Sequence, residues 1–303
     1  MNITVFGGSG FLGSHVADVL TDQGHNVLIF DQVKSPHLKG NQSMVVGDVL
    51  DEKAIDKAVK DADIVYNFIA LADLNEANER PLETARVNVL GNMHILEASR
   101  KAGIKRFIFS SSIYIYSDKG SFYRSSKQSS ELFIEDYQKV YGLPFTILRY
   151  GSLYGPRSDE HNGIYRMLKQ ALLEGKISRE GDGEEIREYI HVQDAARLSV
   201  EILKEEYVNR CVIISGKEQI KIKDLLIMIQ EMLKGQVDIE YIPIKHREHY
   251  EITPYVFNPK QATKLSSNEH LDMGQGILHI LGTIHKQYVV GSQPTVSSQT
   301  FYR

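Results

Sequence analysis

Cysteine is almost absent from this 303-residue chain: the single thiol, Cys211, has no second cysteine with which to close an intrachain disulfide. Its setting, Arg210-Cys-Val-Ile-Ile214, reads as a buried strand in which the thiol serves as a small hydrophobe, and this points to a reducing compartment. No run approaches the roughly 18 apolar residues of a membrane span. The first residues, Met1-Asn-Ile-Thr-Val-Phe6, read as a strand instead of a basic leader, so a cytoplasmic protein without a membrane partner is expected. A cationic surplus is missing too. Lys plus Arg number 35 against 39 Asp plus Glu, a formal net charge of -4, which argues against nucleic-acid phosphates or anionic lipid as partners. With 42% apolar and 24% charged residues and no visible repeat, the composition is that of an ordinary globular protein of one large domain or two interlocked ones.

The first half alternates short Val/Ile/Phe-rich runs with helical patterns, the signature of βαβ units. Strands are expected near residues 3–6, 27–30, 44–46, 64–68, 107–110 and 145–148, and helices over 11–22, from Pro81 to about 102, and over about 123–141, ending at Gly142. Right-handed crossovers then require a doubly wound parallel sheet, a Rossmann-type α/β fold. After Arg149 the rhythm breaks into Gly/Pro-punctuated loops. A helix is expected over 163–174, strands over 186–191 and 211–214 return to the sheet, and helices over 222–233 and 277–286 belong to a smaller lobe. The domains expected are 1–151 with about 186–215 for the dinucleotide-binding part, about 152–185 with 216–288 for an α/β substrate-binding lobe, and a tail at 289–303 with no core role.

Gly7-Gly-Ser-Gly10-Phe11-Leu12-Gly13 joins the first strand to the first helix. The glycines allow a tight turn and a close backbone approach to a pyrophosphate, with helix N–H groups aimed at it. Asp31 ends the next strand, where a carboxylate accepts both hydroxyls of an adenosine ribose and repels a 2′-phosphate, so NAD is favoured over NADP; Lys34 nearby weakens that preference. Asp48, in Gly47-Asp-Val49, either accepts from the adenine amine beside Val49 or belongs to a helix start capped by Asp51.

Tyr-x-x-x-Lys occurs three times, at Tyr123/Lys127, Tyr165/Lys169 and Tyr241/Lys245. Only the first follows the fifth strand and its serine run, Ser110-Ser-Ser112, at the carboxyl edge of the sheet. Spacing of four puts both side chains on one helix face. A lysine there favours the phenolate and lowers the tyrosine pKa, so Tyr123 can move a proton during hydride transfer while Ser112 bonds the same substrate oxygen. Tyr165 and Tyr241 read as ordinary helix and strand residues. His246 and His249 lack a third ligand, and no metal site is expected.

Together with Asn67-Phe-Ile-Ala70, Val87-Asn-Val-Leu-Gly-Asn92, Leu148-Arg-Tyr-Gly-Ser-Leu-Tyr-Gly-Pro-Arg157 and Arg187-Glu-Tyr-Ile-His-Val-Gln-Asp194, these motifs make the chain resemble the extended short-chain dehydrogenase/reductases over about residues 1–285. The resemblance is to their nucleotide-sugar epimerase/dehydratase branch. It implies that Phe68, Ala70 and Asn88 line the cofactor cleft, that Lys127 also holds the nicotinamide ribose, and that the loop from Tyr150 to Ser152 passes beneath nicotinamide and sugar. It assigns Arg187 to the substrate diphosphate, in place of a surface ion pair with Glu184 or Glu185, with Asn162 and Arg247 as further candidates. It also implies a homodimer in which the helices at 81–102 and 123–141 of each subunit form a four-helix bundle.

The chain departs from the family pattern in places. Ile113 and Tyr114 stand where dehydratases and decarboxylases carry acids, Ser152 replaces an asparagine, and only ten residues separate Ser112 from Tyr123. The short connection implies that part of the wall over the sugar is missing. The activity implied is NAD-dependent epimerisation at C4 of a UDP-sugar through a transient 4-keto intermediate. The alternatives are a nucleotide-sugar reductase, dehydrogenase or decarboxylase, and, in another class, a non-catalytic NAD-binding regulatory protein.

Overall fold

The computed structural model describes residues 1–243 and 249–255; Arg247, the expected helix over 277–286 and the tail lie outside the described residues. The chain begins with strand β1 (Asn2–Phe6), helix α1 (Phe11–Asp22), β2 (Asn26–Asp31), β3 (Ser43–Val46), α2 (Glu52–Val59) and β4 (Ile64–Asn67). It continues through α3 (Leu74–Glu79), α4 (Pro81–Ala85), a π-helical turn at Arg86–Leu90 and α5 (Gly91–Ala102). Strand β5 (Arg106–Ser112), a 3-10 turn at Ile113–Tyr116, α6 (Ser121–Tyr141) and β6 (Phe145–Tyr150) follow. Next come β7 (Ser152–Tyr154), α7 (Gly163–Glu174), β8 (Lys176–Glu180), β9 (Ile186–His191), α8 (Val192–Glu201), β10 (Arg210–Ile214), β11 (Gln219–Lys221), α9 (Ile222–Met232) and β12 (Asp238–Ile242).

Seven strands form one sheet in the order β10-β6-β5-β4-β1-β2-β3, and every pairing in it is parallel. Because β1 is followed by β2 on one side and lies against β4 on the other, the strand order reverses there and a crevice opens at the carboxyl ends of β1 and β4. Parallel strands covered on both faces must be apolar throughout, and β4 and β5 are buried along nearly their whole length. One face packs Val5, Ile29 and Tyr66 with Val16 and Leu20 of α1 and Ala196 of α8. The other packs Phe6, Phe30 and Phe107 with Ile55, Ile95 and Ile134 of α2, α5 and α6.

Strand β9 departs from expectation. Instead of returning to the large sheet it pairs parallel with β7 and antiparallel with β11, forming a separate three-stranded sheet. The edge it would need is taken by β10, which pairs with β6 in register Cys211↔Ile147. The burial expected for Cys211 is also corrected: β10 is outermost, and of its residues only Ile214 is buried, leaving the thiol exposed. A third, smaller apolar cluster joins Met167 and Ala171 of α7 to Leu226 and Ile229 of α9, with Ile177 of β8; β8 pairs with β12.

The single helix expected after Pro81 is interrupted. At Arg86–Leu90 it widens to π geometry, with the Gly91 N–H bonded back to Arg86. The side chain that this turn carries inward is Asn88, buried to 2% exposure. No helix among those described is long and apolar enough to cross a membrane.

Candidate functional site

The loop after β1 is shaped by contacts that a side chain cannot make. A Cβ on Gly13 would lie 2.2 Å from the Gly7 carbonyl oxygen, and one on Gly7, whose φ is +77°, would lie 2.9 Å from the Phe68 and Ile69 backbone. Glycine is required at both places. Helix α1 starts at Gly10 with no side-chain cap and no acid in its first turn. A helix N-terminus left open in this way, reached by a loop without side chains, fits the pyrophosphate of a dinucleotide. The Asp31 carboxylate accepts from the Ser9 N–H (3.0 Å) and the Val33 N–H (3.2 Å), so it holds the loop while its remaining lone pairs can take a diol. The residues thus suit NAD.

Asp48 is exposed and accepts from the Leu50 N–H, while Asp51 caps α2 through the Lys53 and Ala54 N–H groups. Val49 is buried against Gly91. Phe68 follows β4 and stacks on Tyr66 at 5.9 Å. Asn88 is consumed by structure: its amide accepts from the Leu71 N–H (2.7 Å) and donates to the Leu71 carbonyl and to Ser126 Oγ, while its own carbonyl accepts from Ser130. It fastens the loop that follows Ala70 to α6. Tyr150, expected beside the cofactor, has a buried ring, and its hydroxyl meets Ser199 Oγ of α8 at 2.6 Å.

Ser112, Tyr123 and Lys127 are brought together at the carboxyl edge. Ser112 ends β5, and α6 begins at Gly120 with φ +88°, which turns the short connection back over the strand end. Ser112 Oγ accepts from the Tyr114 N–H at 3.3 Å and lies close enough to the Tyr123 phenol to favour its charged form. Lys127 is 2% exposed, donates to the Ser110 carbonyl at 2.7 Å, and sits 4.7 Å from the Phe109 ring centre and 5.8 Å from that of Tyr123. Burial pushes the Tyr123 phenol up to about 12, and the Ser112 hydroxyl only partly offsets it. The expected lowering of the tyrosine by Lys127 is therefore not what dominates here. Burial also brings Lys127 down to about 7, against the pull of the Glu131 carboxylate. Of the other two Tyr/Lys pairs, Tyr165 and Tyr241 are exposed and Lys169 is engaged by Glu160, while Lys245 lies outside the described residues.

The side facing Tyr123 was not foreseen. Tyr114 sits edge-on to the Tyr123 ring at 6.2 Å, packs on Tyr250 at 4.9 Å, and its hydroxyl is hydrogen-bonded to His249 Nδ1 at 2.5 Å. Arg187, 6% exposed, stacks over Tyr250 at 4.3 Å and donates to the Ile186 and Glu251 carbonyls. Glu184 pairs instead with Lys221 and Lys223, and Glu185 with Arg179, so the surface ion pair is excluded for Arg187. Loss of water, then the charges of Arg187, Arg179 and Arg166, hold His249 below the usual imidazole range. Ser152 reaches the Tyr250 hydroxyl at 3.3 Å. These aromatic side chains pack beside the short Ser112–Tyr123 connection. Asn162 caps α7, accepting from the Ile164 and Tyr165 N–H groups and donating to the Leu153 carbonyl, which occupies the amide expected at a diphosphate. Among the described residues no group of three His, Cys, Asp or Glu side chains is arranged to hold a metal ion.

A doubly wound sheet with an open helix N-terminus at its switch point and a buried Tyr/Lys pair beside it defines a dinucleotide-binding protein equipped for proton transfer. Residues 3–213 match the NAD dependent epimerase/dehydratase family, and the chain belongs to it. A Methanocaldococcus jannaschii protein named as a candidate UDP-glucose 4-epimerase is 29% identical, over 92% of this chain and 97% of its own length. A UDP-N-acetyl-alpha-D-glucosaminuronate decarboxylase of Bacillus cytotoxicus is 27% identical over 80% of this chain and 83% of that protein. Among solved structures, a UDP-glucose 4-epimerase of Thermotoga maritima with UDP-glucose superposes with a TM-score of 0.78 at 28% identity, covering 85% of this chain and 90% of that one.

Proposed function

We propose that this protein is an NAD-dependent epimerase acting at C4 of a UDP-sugar. The observation that carries the reading is the meeting of Ser112, Tyr123 and Lys127 at the carboxyl edge of the sheet that bears the glycine loop. The UDP-sugar epimerases among its relatives supply the substrate class. NAD, when bound, supplies an acceptor and then a donor of hydride at the sugar carbon. Gly7, Gly10, Phe11, Leu12 and Gly13 would hold its pyrophosphate through backbone groups, Asp31 its adenosine ribose, and Asp48 with Val49 its adenine. Phe68 and Ala70 would flank the nicotinamide half, with Lys127 on the ribose.

In this reading Tyr123 takes the proton of the C4 hydroxyl as the sugar becomes a 4-keto species, and gives it back from the opposite presentation of the ring. Ser112 orients the same oxygen. The Lys127 ammonium stabilises the phenolate, whose formation burial otherwise opposes. Arg187 holds the diphosphate on which the keto-sugar turns, with Ser152 beside it and Arg247 as a further contact. Ile113 and Tyr114 offer no carboxyl group where elimination or decarboxylation needs one, which separates this chain from the decarboxylase it resembles.

The division of labour we propose assigns 1–151 and about 186–215 to NAD, and about 152–185 and 216–288 to the substrate. The enzyme acts as a homodimer through α4 to α6, where Leu90, Leu132, Phe133 and Val140 expose apolar surface; a monomeric mass by light scattering at micromolar concentration would refute this. A chain with one cysteine suits the reducing cytoplasm. The central test is incubation with UDP-hexoses, UDP-N-acetylhexosamines and UDP-uronates, with products followed by NMR and reduced cofactor by absorbance. Conversion to a C4 epimer without accumulating NADH supports the reading. Stoichiometric NADH, release of carbon dioxide or a 4-keto-6-deoxy product sinks it.

A further inference from the structure

Behind Lys127, on the side away from the crevice, lies a buried ion pair that the proposed proton transfer does not use. Glu131 follows Lys127 by one turn of α6 and is 6% exposed. Its Oε1 accepts from Ser111 Oγ (2.5 Å) and Arg149 Nε (3.1 Å), and its Oε2 from Arg149 Nη2 (2.6 Å). Such a two-point clasp by a guanidinium fixes the carboxylate in place. Arg149 comes from β6, and its Nη1 donates to the Tyr116 hydroxyl at 2.5 Å while the guanidinium stacks on that ring at 5.0 Å. Tyr116 ends the 3-10 turn that starts just after Ser112. One network thus ties together the helix of Tyr123 and Lys127, the strand end carrying Ser112, and the turn that follows it.

We propose that Glu131 and Arg149 are a buried positioning pair for Lys127: Glu131 keeps the charge on the lysine, and Arg149, by clasping Glu131, limits how much of that negative charge the lysine feels. This rests on the reading of Lys127 as the partner of Tyr123. The surroundings leave Glu131 as the controlling charge. On its own helix Lys127 faces Tyr123 and Glu131; β5 brings the Ser110 carbonyl, Ser111, Ser112 and Phe109; the 3-10 turn brings Tyr114 and Tyr116; β6 brings Arg149. From the other side Asn88 is taken up by Ser126 and Ser130. Glu97 meets α6 only at Tyr137 and is held by Arg100, and Cys211 of β10 bears on Arg149 and Glu131 from outside. Of these, Glu131 opposes the burial that discharges Lys127. Burial works against Arg149 as well, yet its bonds to Glu131 hold it above its ordinary range, so much of the carboxylate's charge is already spoken for.

The pair makes an unusual demand: removing its two members must move Lys127 in opposite directions. The experiment is NMR titration of protein labelled with 13C at lysine Cε, with the Lys127 signal assigned by Lys127→Arg, in wild type, Glu131→Gln, Arg149→Met and the double variant. Glu131→Gln is expected to lower the Lys127 midpoint by about one pH unit, and Arg149→Met to raise it. The double variant, which removes both members of the ion pair together, is expected to lower it less than Glu131→Gln alone; Glu131→Asp restores much of the wild-type value. The alkaline limb of the rate profile should follow the same order. If both single variants shift Lys127 the same way, or if the double variant leaves it where the wild type has it, the pair is only a structural clamp and the inference falls. Because the titration needs neither sugar nor turnover, its failure leaves the epimerase reading standing, whereas failure of the UDP-sugar assay does not touch the shifts.

Discussion

The two sides of the crevice are built by different means. On the cofactor side the contacts come from backbone: a loop from which Cβ atoms are excluded at 2.2–2.9 Å, and a helix start without a cap. On the side we propose for the sugar they come from side chains of distant segments, with Tyr114 from the turn after β5, Arg187 from β9, and His249 and Tyr250 from a stretch more than 50 residues later. A backbone-built site tolerates little in its few glycines and much elsewhere. A side-chain site depends on segments far apart in the chain meeting at one place.

The sharpest test of that contrast is Tyr123→Phe, which belongs to neither wall. It should lower kcat by about two to four orders of magnitude, the usual worth of a positioned acid/base, while the affinities for NAD and UDP measured by calorimetry stay unchanged. If Tyr165→Phe did this instead, the site would be misassigned. Next in size, Gly13→Ala drives a methyl into the Gly7 carbonyl; overpacking of this kind costs about 1–3 kcal/mol, or roughly ten- to a hundredfold in NAD affinity. UDP affinity should be untouched, and an equal loss of both would erase the distinction between the two walls.

Arg187→Ala should do the converse, weakening UDP by about ten- to a hundredfold through lost charge-assisted bonds while sparing NAD. Unchanged UDP affinity defeats its role. A further effect is on stability. Lys127 titrates near 10.5 when unfolded and at about 7 when folded, so between those values the unfolded chain binds the extra proton. Stability must then rise with pH across that window, with the penalty of the buried ammonium greatest below pH 7. Denaturant melts of wild type and Lys127→Met across pH 6 to 10 should show this slope in the wild type and not in the variant. Parallel curves would mean that Lys127 is not discharged by burial.

What was legible in the sequence follows the same divide. The alternating apolar runs dictated the parallel sheet because strands buried on both faces admit few polar residues, and β1 to β6 and α1 fall within a few residues of expectation. The glycine loop was readable because its chemistry is local: seven consecutive residues, Gly7 to Gly13, carry it. Tyr123 and Lys127 share a helix face by spacing alone, and Glu131 lies one more turn along the same face, a signal present but unread.

Pairings between distant segments were not readable. Whether β9 joins the large sheet or founds a small one depends on which strand reaches the β6 edge, and β10 occupies it. Cys211 has strand neighbours typical of a core, yet its exposure depends on β10 being last in the sheet. Tyr150 sits in the expected loop but is captured by Ser199 of a helix whose position no local pattern specifies. By itself the sequence determined a parallel α/β sheet, a glycine loop at the start of α1 and a Tyr/Lys pair on one helix face, because each is written in residues close enough along the chain to constrain one another. The tertiary structure alone decided what those residues feel: the burial that moves Tyr123 and Lys127 from their ordinary proton affinities, the Glu131–Arg149 clasp behind them, and the aromatic wall of Tyr114 and Tyr250 in front. Desolvation and packing depend on every segment that closes around a group, and those segments meet only once the chain has folded.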